Sequence, residues 1–318
     1  MKSPTCSIVV SVYNEEAVLR CFHNELTSAL SALGCCCETI YVNDGSTDDS
    51  RAILDGLTAS HLPQNTVKAI HFSRNFGHEA AMIAGIDNAC GDVIVCMDAD
   101  CQNPPALLAG MLALYRDGND IVTMVREDRA DGGIYKRITS RMFYHIINRL
   151  SDTKLQSNAS DFFLISRRVA DVLRSDYRER TRFLRGFIQT VGFRSTTLPY
   201  RAPKRAAGKS HYGFSKLLHF AFTSLASFSK VPLKLGIYSG VLFGLLSVAL
   251  IVYSIVMWIV KRPVGGYTTL IIFLSAFAAI ILLVVGVIGY YIGFIVDEVK
   301  GRPIYIVESI TGNSNEEH

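Results

Sequence analysis

The stretch Val93-Ile94-Val95-Cys96-Met97-Asp98-Ala99-Asp100 decides the fold class, because an apolar strand runs directly into two carboxylates. Five consecutive apolar residues favour a buried strand, predicted over residues 92–97, and Asp98 and Asp100 follow where it gives way to a loop. Hard divalent cations prefer oxygen ligands and share them with substrate phosphates. The pair therefore predicts a site for Mg²⁺ or Mn²⁺ bound to a diphosphate, and Gln102 can supply a further oxygen ligand.

Outward from this strand, strand and helix patterns alternate as far as residue 125. Short β-rich runs are predicted at residues 7–12, 38–43, 67–72, 92–97 and 120–125, with helical spacing of apolar residues between them. Such alternation predicts an α/β domain with a mostly parallel sheet and helices on both faces. Ligands bind such sheets at the carboxyl ends of the strands, and the polar clusters of this sequence fall there.

Two further polar clusters follow strands at the same predicted edge. Tyr13, Asn14 and Glu15 follow the first strand, and Asp44 follows the second with Gly45 beside it. A carboxylate at a strand end can accept hydrogen bonds from a nucleobase or ribose, and glycine allows the backbone to approach closely. We therefore predict a nucleoside pocket here, although the second cluster alone is equally consistent with a turn and a helix cap.

Composition separates the chain into two regions. Hydrophobic residues make up 49% of the 318 residues, yet residues 235–296 are almost entirely apolar, whereas charges occur throughout the part before about residue 230. The net charge of +4 is too small to indicate nucleic acid as a partner. Eight cysteines without a CxxC pair indicate reduced thiols, and the N-terminal apolar run is too short for a signal peptide. The first domain is therefore expected to begin in the cytoplasm.

The apolar region predicts a transmembrane hairpin. Residues 235–260 and 268–296 are each long enough to cross a hydrocarbon core of about 30 Å, and a short loop joins them. Residues 212–234 are predicted to be amphipathic helices at the membrane interface, with an ordinary packing helix as the alternative. Basic residues are denser before the first span than in the loop. The positive-inside rule therefore predicts an inner (plasma) membrane protein whose domain, residues 1–211, and tail, residues 297–318, are both cytoplasmic.

The motifs taken together resemble the inverting family-2 glycosyltransferases, which have the GT-A fold of nucleotide-diphospho-sugar transferases. The matching stretches are Val12-Tyr13-Asn14-Glu15-Glu16, Asn43-Asp44-Gly45-Ser46-Thr47-Asp48, Ser73-Arg74-Asn75-Phe76-Gly77, Ala84-Gly85-Ile86 and Asp98-Ala99-Asp100-Cys101-Gln102-Asn103-Pro104-Pro105. The two apolar segments and the Gly301-Arg302-Pro303 sequence extend the likeness to the polyprenyl-phosphate branch. That branch includes dolichol-phosphate mannose synthase and the bactoprenol (undecaprenyl-phosphate) glucosyltransferases.

This resemblance implies roles for individual residues. It implies a nucleoside site lined by Tyr13, Glu15 and Asp44, beside Asn14 and Asp98. It implies a metal site formed by Asp98, Asp100 and Gln102. It also implies that Asp161 lies beside the acceptor as catalytic base. A phosphate monoester has a second pKa of about 6 and is already mostly deprotonated, so our physical interpretation is that Asp161 orients a substrate or, alternatively, pairs with a nearby arginine.

The implied reaction transfers glucose or a related hexose from a nucleotide sugar, UDP-linked, to undecaprenyl or another polyprenyl phosphate, with inversion, for modification of cell-envelope glycans. Two anionic substrates need cationic neighbours, and the planar fork of arginine suits phosphate oxygens. The candidates for these contacts are Arg126, Arg129, Arg137 with Ser140, Arg205 and Lys209. Each is equally consistent with a solvated charge or one that faces lipid headgroups. Small residues in the second span predict a homo-oligomer.

The sequence departs from the family pattern at several positions. Ser11 stands where proline is common, which we expect to affect the stiffness of the loop more than the chemistry. His78 and Glu79 replace a more usual Lys/Gln pair, and Thr190 stands where relatives often carry tryptophan. These departures leave the donor sugar open.

Two alternative functions remain. The first is a non-catalytic membrane scaffold or a lipid-linked-sugar flippase. The second is a processive polysaccharide synthase, which carries a Gln-x-x-Arg-Trp motif. The only tryptophan is Trp258, inside the first apolar segment, so this motif is absent. Nucleotide binding that requires a divalent cation distinguishes the transferase from a scaffold.

Overall fold

The computed structural model describes residues 6–59, 65–127, 159–180, 183–201, 203, 231–260 and 266–312. These residues fall into two compact units. The first unit contains eight described strands and six described helices, and the second contains two long helices.

The first unit is an α/β domain. Its strands are β1 (Cys6–Val12), β2 (Cys37–Asn43), β3 (Asn65–Phe72), β4 (Val93–Asp98), β5 (Ile121–Arg126), β6 (Ala159–Ser166), β7 (Ser195–Tyr200) and β8 (Val307–Gly312). Its helices are α1 (Leu19–Leu33), α2 (Ser50–Thr58), α3 (His78–Asn88), α4 (Leu108–Arg116), α5 (Arg167–Ser175) and α6 (Leu184–Thr190). The second unit contains α7 (Val231–Ile259) and α8 (Tyr267–Val299).

The eight strands form one sheet in the order β7-β5-β6-β4-β1-β2-β3-β8. At its centre β1 pairs in parallel with β2 and β4, and β2 pairs in parallel with β3. The predicted α/β fold with a mostly parallel sheet is confirmed, and the five predicted strands coincide with β1 to β5. The sheet is nevertheless mixed, because β6 is antiparallel to β4 and β5, and β8 is antiparallel to β3.

Three strands were not predicted from the sequence. One of them, β6, lies between β4 and β5 and therefore separates two predicted strands that are consecutive along the chain. Another, β8, forms an edge of the sheet from residues that the sequence predicts only as a tail. Side-chain contacts add to the backbone hydrogen bonds between β8 and β3. Arg51 on α2 forms an ion pair with Glu308 on β8 at 3.0 Å.

The central strands are apolar because both of their faces are covered. Every residue of β1 and of β2 is buried, which is the usual state of parallel strands between two layers of helices. On one face α1 contributes Phe22 and Leu26 to the core. On the other face α3 lies against β1 at Gly85, where an added Cβ would meet Val9 Cγ1 at 2.0 Å.

We expect Gly85→Ala to destabilise the domain, because neither helix α3 nor strand β1 has room for a methyl group. Overpacking of a buried contact of this kind costs about 1–3 kcal/mol. The measurement is the unfolding midpoint of the purified full chain, followed by fluorescence. The matched control is Gly56→Ala on α2, where an added Cβ meets nothing within 4 Å and the substitution is expected to be neutral or slightly stabilising. Equal midpoints for the two variants would contradict the packing argument.

The helices of the second unit are long and apolar enough to cross a membrane, on length and composition. The two windows are Gly236–Met257 and Ala276–Val299, with mean hydropathies of 2.4 and 2.7, and no part of either is buried within the chain. They overlap the predicted segments 235–260 and 268–296. Most of the predicted amphipathic segment, residues 212–230, lies outside the described residues.

Candidate active site

Polar side chains from four parts of the fold meet at the carboxyl ends of the central strands. Asp98 ends β4, and its neighbour across the parallel ladder is Ser11 on β1. His78 begins α3 directly after Gly77, whose φ of 99° is a conformation that glycine adopts readily. Asp161 lies near the start of β6. The strand order therefore assembles the site from residues that are far apart in the sequence.

Short distances connect these side chains. The Ser11 hydroxyl donates a hydrogen bond to Asp98 Oδ1 at 2.9 Å and also lies 2.9 Å from His78 Nδ1. On the other side of the imidazole ring, His78 Nε2 lies 3.7 Å from Asp161 Oδ2. One ligand atom from each of His78, Asp98 and Asp161 lies within 4.8 Å of the other two. These three residues form what we call the acidic cluster.

Helix α6 holds one side of the acidic cluster in place. Arg185 Nε lies 2.7 Å from Asp161 Oδ1, and the same guanidinium donates to the Ala159 carbonyl. Glu79 accepts a hydrogen bond from the Leu184 N–H at 2.8 Å and so fastens the start of α6 to α3. The predicted alternative that Asp161 pairs with an arginine is therefore realised, and its second oxygen still faces His78.

The electrostatics of the cluster favour a bound cation. Burial raises the pKa of Asp98, and the nearby carboxylates of Asp161 and Asp100 raise it further. Burial also raises the pKa of Glu79, with Asp161 as the next cause. For His78 burial alone would lower the pKa, but the carboxylates of Asp98 and Asp161 outweigh it, so the pKa is raised. The site thus concentrates negative charge.

The donor atoms also fit a divalent cation. Nε2 of His78 is buried and has no hydrogen-bond partner among the described residues. Carboxylate oxygens and an imidazole nitrogen are ordinary ligands of Mn²⁺ and of related metals. An unsatisfied buried nitrogen next to two carboxylates is therefore a site that a cation can satisfy.

The other two predicted metal ligands lie in the next turn of the chain. Asp100 accepts a hydrogen bond from the Gln102 N–H at 3.0 Å. The side-chain oxygen of Gln102 accepts from Arg126 Nη1 at 3.1 Å, and Arg126 also donates to the Tyr200 hydroxyl at 3.0 Å. The structure thus groups Asp98 with His78 and Asp161, and it places the Arg126 guanidinium beside the Asp100–Gln102 turn.

The loops after β1 and β2, which the sequence predicts as a nucleoside pocket, contact each other. The Asn14 side chain accepts from the Thr47 N–H at 2.8 Å, and the Asn14 N–H donates to the Ser46 hydroxyl at 3.0 Å. The Glu15 N–H donates to the Ser50 hydroxyl at 3.0 Å. Tyr13 beside them is exposed, with 47% of its surface accessible.

Asp44 is engaged differently from its neighbours. It is buried, and Oδ1 accepts from the Phe76 N–H at 2.6 Å while Oδ2 accepts from the Gly77 N–H at 2.9 Å. It therefore braces the loop that leads into His78. Gly45 permits this close approach, because an added Cβ would lie 2.4 Å from the Arg74 carbonyl carbon.

The remaining predicted phosphate contacts lie outside the described residues: Arg129, Arg137, Ser140, Arg205 and Lys209. The sequence indicates Ser11 and His78 only as departures from the family pattern and not as site residues. The Ser11 hydroxyl bonds both Asp98 and the His78 ring, so its effect extends beyond the loop stiffness expected from the sequence. The available signal was that two polar residues depart from the family pattern, Ser11 near the end of β1 and His78 at the start of α3.

Comparisons with known proteins identify the family of the chain. The model of glycosyl transferase family 2 matches residues 7–174. The Bacillus subtilis (strain 168) protein named uncharacterized glycosyltransferase YkcC is 38% identical over 97% of this chain and 95% of its own length. The SfII prophage-derived bactoprenol glucosyl transferase of Shigella flexneri is 33% identical over 95% of this chain and 97% of its own length.

Among solved structures, the chain is similar to glucosyl-3-phosphoglycerate synthase from Mycobacterium tuberculosis, in a complex with Mn²⁺, uridine-diphosphate-glucose and phosphoglyceric acid. The identity is 18%, the match covers 70% of this chain and 79% of that one, and the TM-score is 0.42. The sequence matches instead show the family, because the family model covers more than half of the chain and the two relatives match 97% and 95% of it. On those grounds the chain belongs to glycosyl transferase family 2 and is a glycosyltransferase with the GT-A fold.

Proposed function

We propose that the chain transfers glucose or a related hexose from a UDP-linked donor to undecaprenyl phosphate or another polyprenyl phosphate, with inversion at the anomeric carbon. The observation that carries this proposal is identity of 33% over 95% of the chain to proteins named bactoprenol glucosyl transferase, apolar helices included. The product would be a polyprenyl-phospho-sugar used in the modification of cell-envelope glycans.

In the proposed reaction an oxygen of the acceptor phosphate forms a bond to the anomeric carbon. The bond from that carbon to the donor diphosphate breaks, and the nucleoside diphosphate leaves with the electron pair. An acceptor phosphate with a second pKa of about 6 is already mostly ionised near neutral pH. We therefore assign Asp161 to orientation of the reactants. This role is supported by its ion pair with Arg185, in which Nε lies 2.7 Å from Asp161 Oδ1.

The donor diphosphate would lie over the carboxyl end of β4. Asp98 and Asp100, with Gln102, would hold Mg²⁺ or Mn²⁺ there, and such a cation stabilises negative charge on a departing diphosphate. Arg126 is held by the Gln102 side chain and Tyr200 beside this turn, so it can offer positive charge to the same phosphates.

The nucleoside would lie on the loops that follow β1 and β2. We propose that the exposed ring of Tyr13 stacks against the base and that Asn14 and Glu15 shape the pocket through their contacts with the second loop. Asp44 would act through the loop between β3 and α3, which its carboxylate braces.

Two features support a membrane hairpin with both flanks in the cytoplasm. Strand β8 pairs with β3, so the segment after the apolar helices belongs to the same sheet as the segment before them. A chain that leaves and rejoins one sheet crosses a bilayer an even number of times, which two spans satisfy. The density of basic residues before the first span supports a cytoplasmic location for this sheet. Gly286 and Gly289 on α8 leave open surface, which favours a homo-oligomer.

The experiment that tests this proposal follows radiolabelled nucleotide sugars into organic-extractable lipid, with undecaprenyl phosphate and Mg²⁺ or Mn²⁺. We expect label to enter the lipid from one donor and to be reduced about 10²-fold or more in Asp100→Ala. Nucleotide binding without transfer would indicate a scaffold, and label in a water-soluble polymer would indicate a processive synthase. Either result would overturn the proposal.

A further inference from the structure

We propose that His78 binds the divalent cation through Nε2, together with Asp98 and Asp161, and thereby biases the site toward Mn²⁺ over Mg²⁺. The inference rests on the proposed metal-dependent transfer and adds a nitrogen ligand that lies outside the Asp98–Asp100 pair. It is carried by the hydrogen bonds of the imidazole ring and by the distances within the acidic cluster.

With Asp98 ionised, the hydrogen bonds favour the tautomer of His78 that carries its proton on Nδ1. The Ser11 hydroxyl has one hydrogen, which it donates to Asp98 Oδ1 at 2.9 Å. Its oxygen lies 2.9 Å from His78 Nδ1 and can therefore only accept there, so Nδ1 carries the proton. A metal ion binds a deprotonated nitrogen, so a bound cation would replace any proton on Nε2 and use its lone pair. Metal-binding histidines show the same division, with one nitrogen on the metal and the other N–H held by a neighbouring acceptor.

The lone pair points into the acidic cluster. Nε2 is buried, and no hydrogen-bond partner for it is found in the part of the chain that the structure describes. Its closest carboxylate oxygen is Asp161 Oδ2 at 3.7 Å, which is too long for a hydrogen bond. Two ligands that each lie about 2.1 Å from one cation are roughly 3–4 Å apart, and the 3.7 Å between Nε2 and Asp161 Oδ2 falls in this range.

Surrounding contacts hold the ligands in position. Asp161 is fixed through its other oxygen by Arg185, and Asp98 is fixed by Ser11. His78 follows the loop that Asp44 braces through the Gly77 N–H. Each of the three proposed ligands is thus held by a neighbouring residue and keeps one atom available to the metal. Metal sites commonly orient their ligands through such neighbouring contacts.

A nitrogen ligand changes which cation the site prefers. Mg²⁺ is served best by oxygen ligands and water, whereas imidazole suits transition metals. A site of two carboxylates alone would discriminate weakly between Mg²⁺ and Mn²⁺. With His78 as a ligand, we expect the ratio of Mn²⁺ affinity to Mg²⁺ affinity to rise. A fall of this ratio in a variant that lacks the imidazole would therefore report the contribution of His78.

The test measures binding of Mn²⁺ to the purified full chain by electron paramagnetic resonance, alone and with UDP, and Mg²⁺ by competition. In His78→Gln we expect Mn²⁺ affinity to fall about 10- to 100-fold with a smaller change for Mg²⁺, and in Ser11→Ala a fall of about 10-fold. Spin-echo modulation of bound Mn²⁺ should show a directly bound nitrogen in the wild type and lose it in His78→Gln. The matched control is His23→Gln on α1, where the wild-type ring contacts the Tyr41 hydroxyl on β2, and this variant should keep the signal.

The outcomes separate this inference from the proposed function. Mn²⁺ bound without a nitrogen signal, or with a signal that survives in His78→Gln, would overturn the role of His78 even if sugar transfer is intact. Absence of both metal binding and transfer in the wild type would instead overturn the proposed function. A nitrogen signal that Ser11→Ala weakens and His78→Gln removes would support the complete arrangement.

Discussion

Replacement of Asp98 by asparagine is expected to lower the kcat of sugar transfer by about 10³-fold. Asp98 belongs both to the metal-ligand set expected from the sequence and to the acidic cluster found in the structure. Asparagine keeps the shape of the side chain and removes its charge. The site would then lose a ligand of the cation that stabilises the departing diphosphate. The measurement is the initial rate of label incorporation into lipid at saturating donor.

The control for this prediction is Asp92→Asn, the same substitution at the other end of β4. Asp92 is exposed, and its backbone carbonyl accepts the Arg167 N–H at 2.8 Å, a contact that the substitution leaves in place. We expect this variant to transfer sugar at the wild-type rate. If Asp98→Asn kept more than about a tenth of that rate, a loss of less than about 1.4 kcal/mol, Asp98 would not be a principal metal ligand.

The second large effect is expected for Asp161→Asn, which should lower kcat/KM by about 10²- to 10³-fold. The carboxylate is the partner of Arg185 at 2.7 Å and faces His78, so the neutral amide would disturb the positions of both. Because the acceptor phosphate is ionised above about pH 6, the shape of the pH–rate profile should not change. The measurement is kcat/KM for the lipid acceptor from pH 5.5 to 8.5, in the wild type and in the variant.

The pH profile distinguishes orientation from proton removal. If Asp161 were a general base, the acidic limb of the wild-type profile would disappear in Asp161→Asn, and our interpretation would be wrong. Asp171→Asn on α5 serves as the control. Asp171 forms an exposed ion pair with Arg174 at 3.0 Å, and the loss of such a pair leaves transfer unchanged and costs at most about 1 kcal/mol of stability.

The sequence predicted the elements whose pattern is local. Five strands, the helices between them and two long apolar helices follow from the spacing of apolar residues within single windows, and the structure confirms them. The three strands that escaped prediction depend on distant partners. In strand β8 exposed and half-buried residues alternate. The strand lies a few residues after the end of helix α8. Its place in the sheet depends on β3, about 240 residues earlier in the sequence.

The candidate site divides in the same way. Asp98 and Asp100 could be found because a strand end and its carboxylates are adjacent in the sequence. The contact of Ser11 with His78 spans 67 positions and that with Asp98 spans 87, so no local pattern contains them. For Asp44 the local motif misleads. The motif predicts a carboxylate that is accessible to a nucleoside, whereas the carboxylate is buried and accepts hydrogen bonds from backbone N–H groups.

The sequence by itself determined the α/β class, the apolar hairpin, the family and the edge of the sheet at which the chemistry lies. These follow from periodicity, composition and short motifs, which are properties of neighbouring residues. Only the tertiary structure decided that His78 and Asp161 meet Asp98, that Arg185 pairs with Asp161 and that β8 forms an edge of the sheet. The physical reason is that such contacts depend on strand order and on parallel register, which bring together side chains that no single stretch of the chain relates.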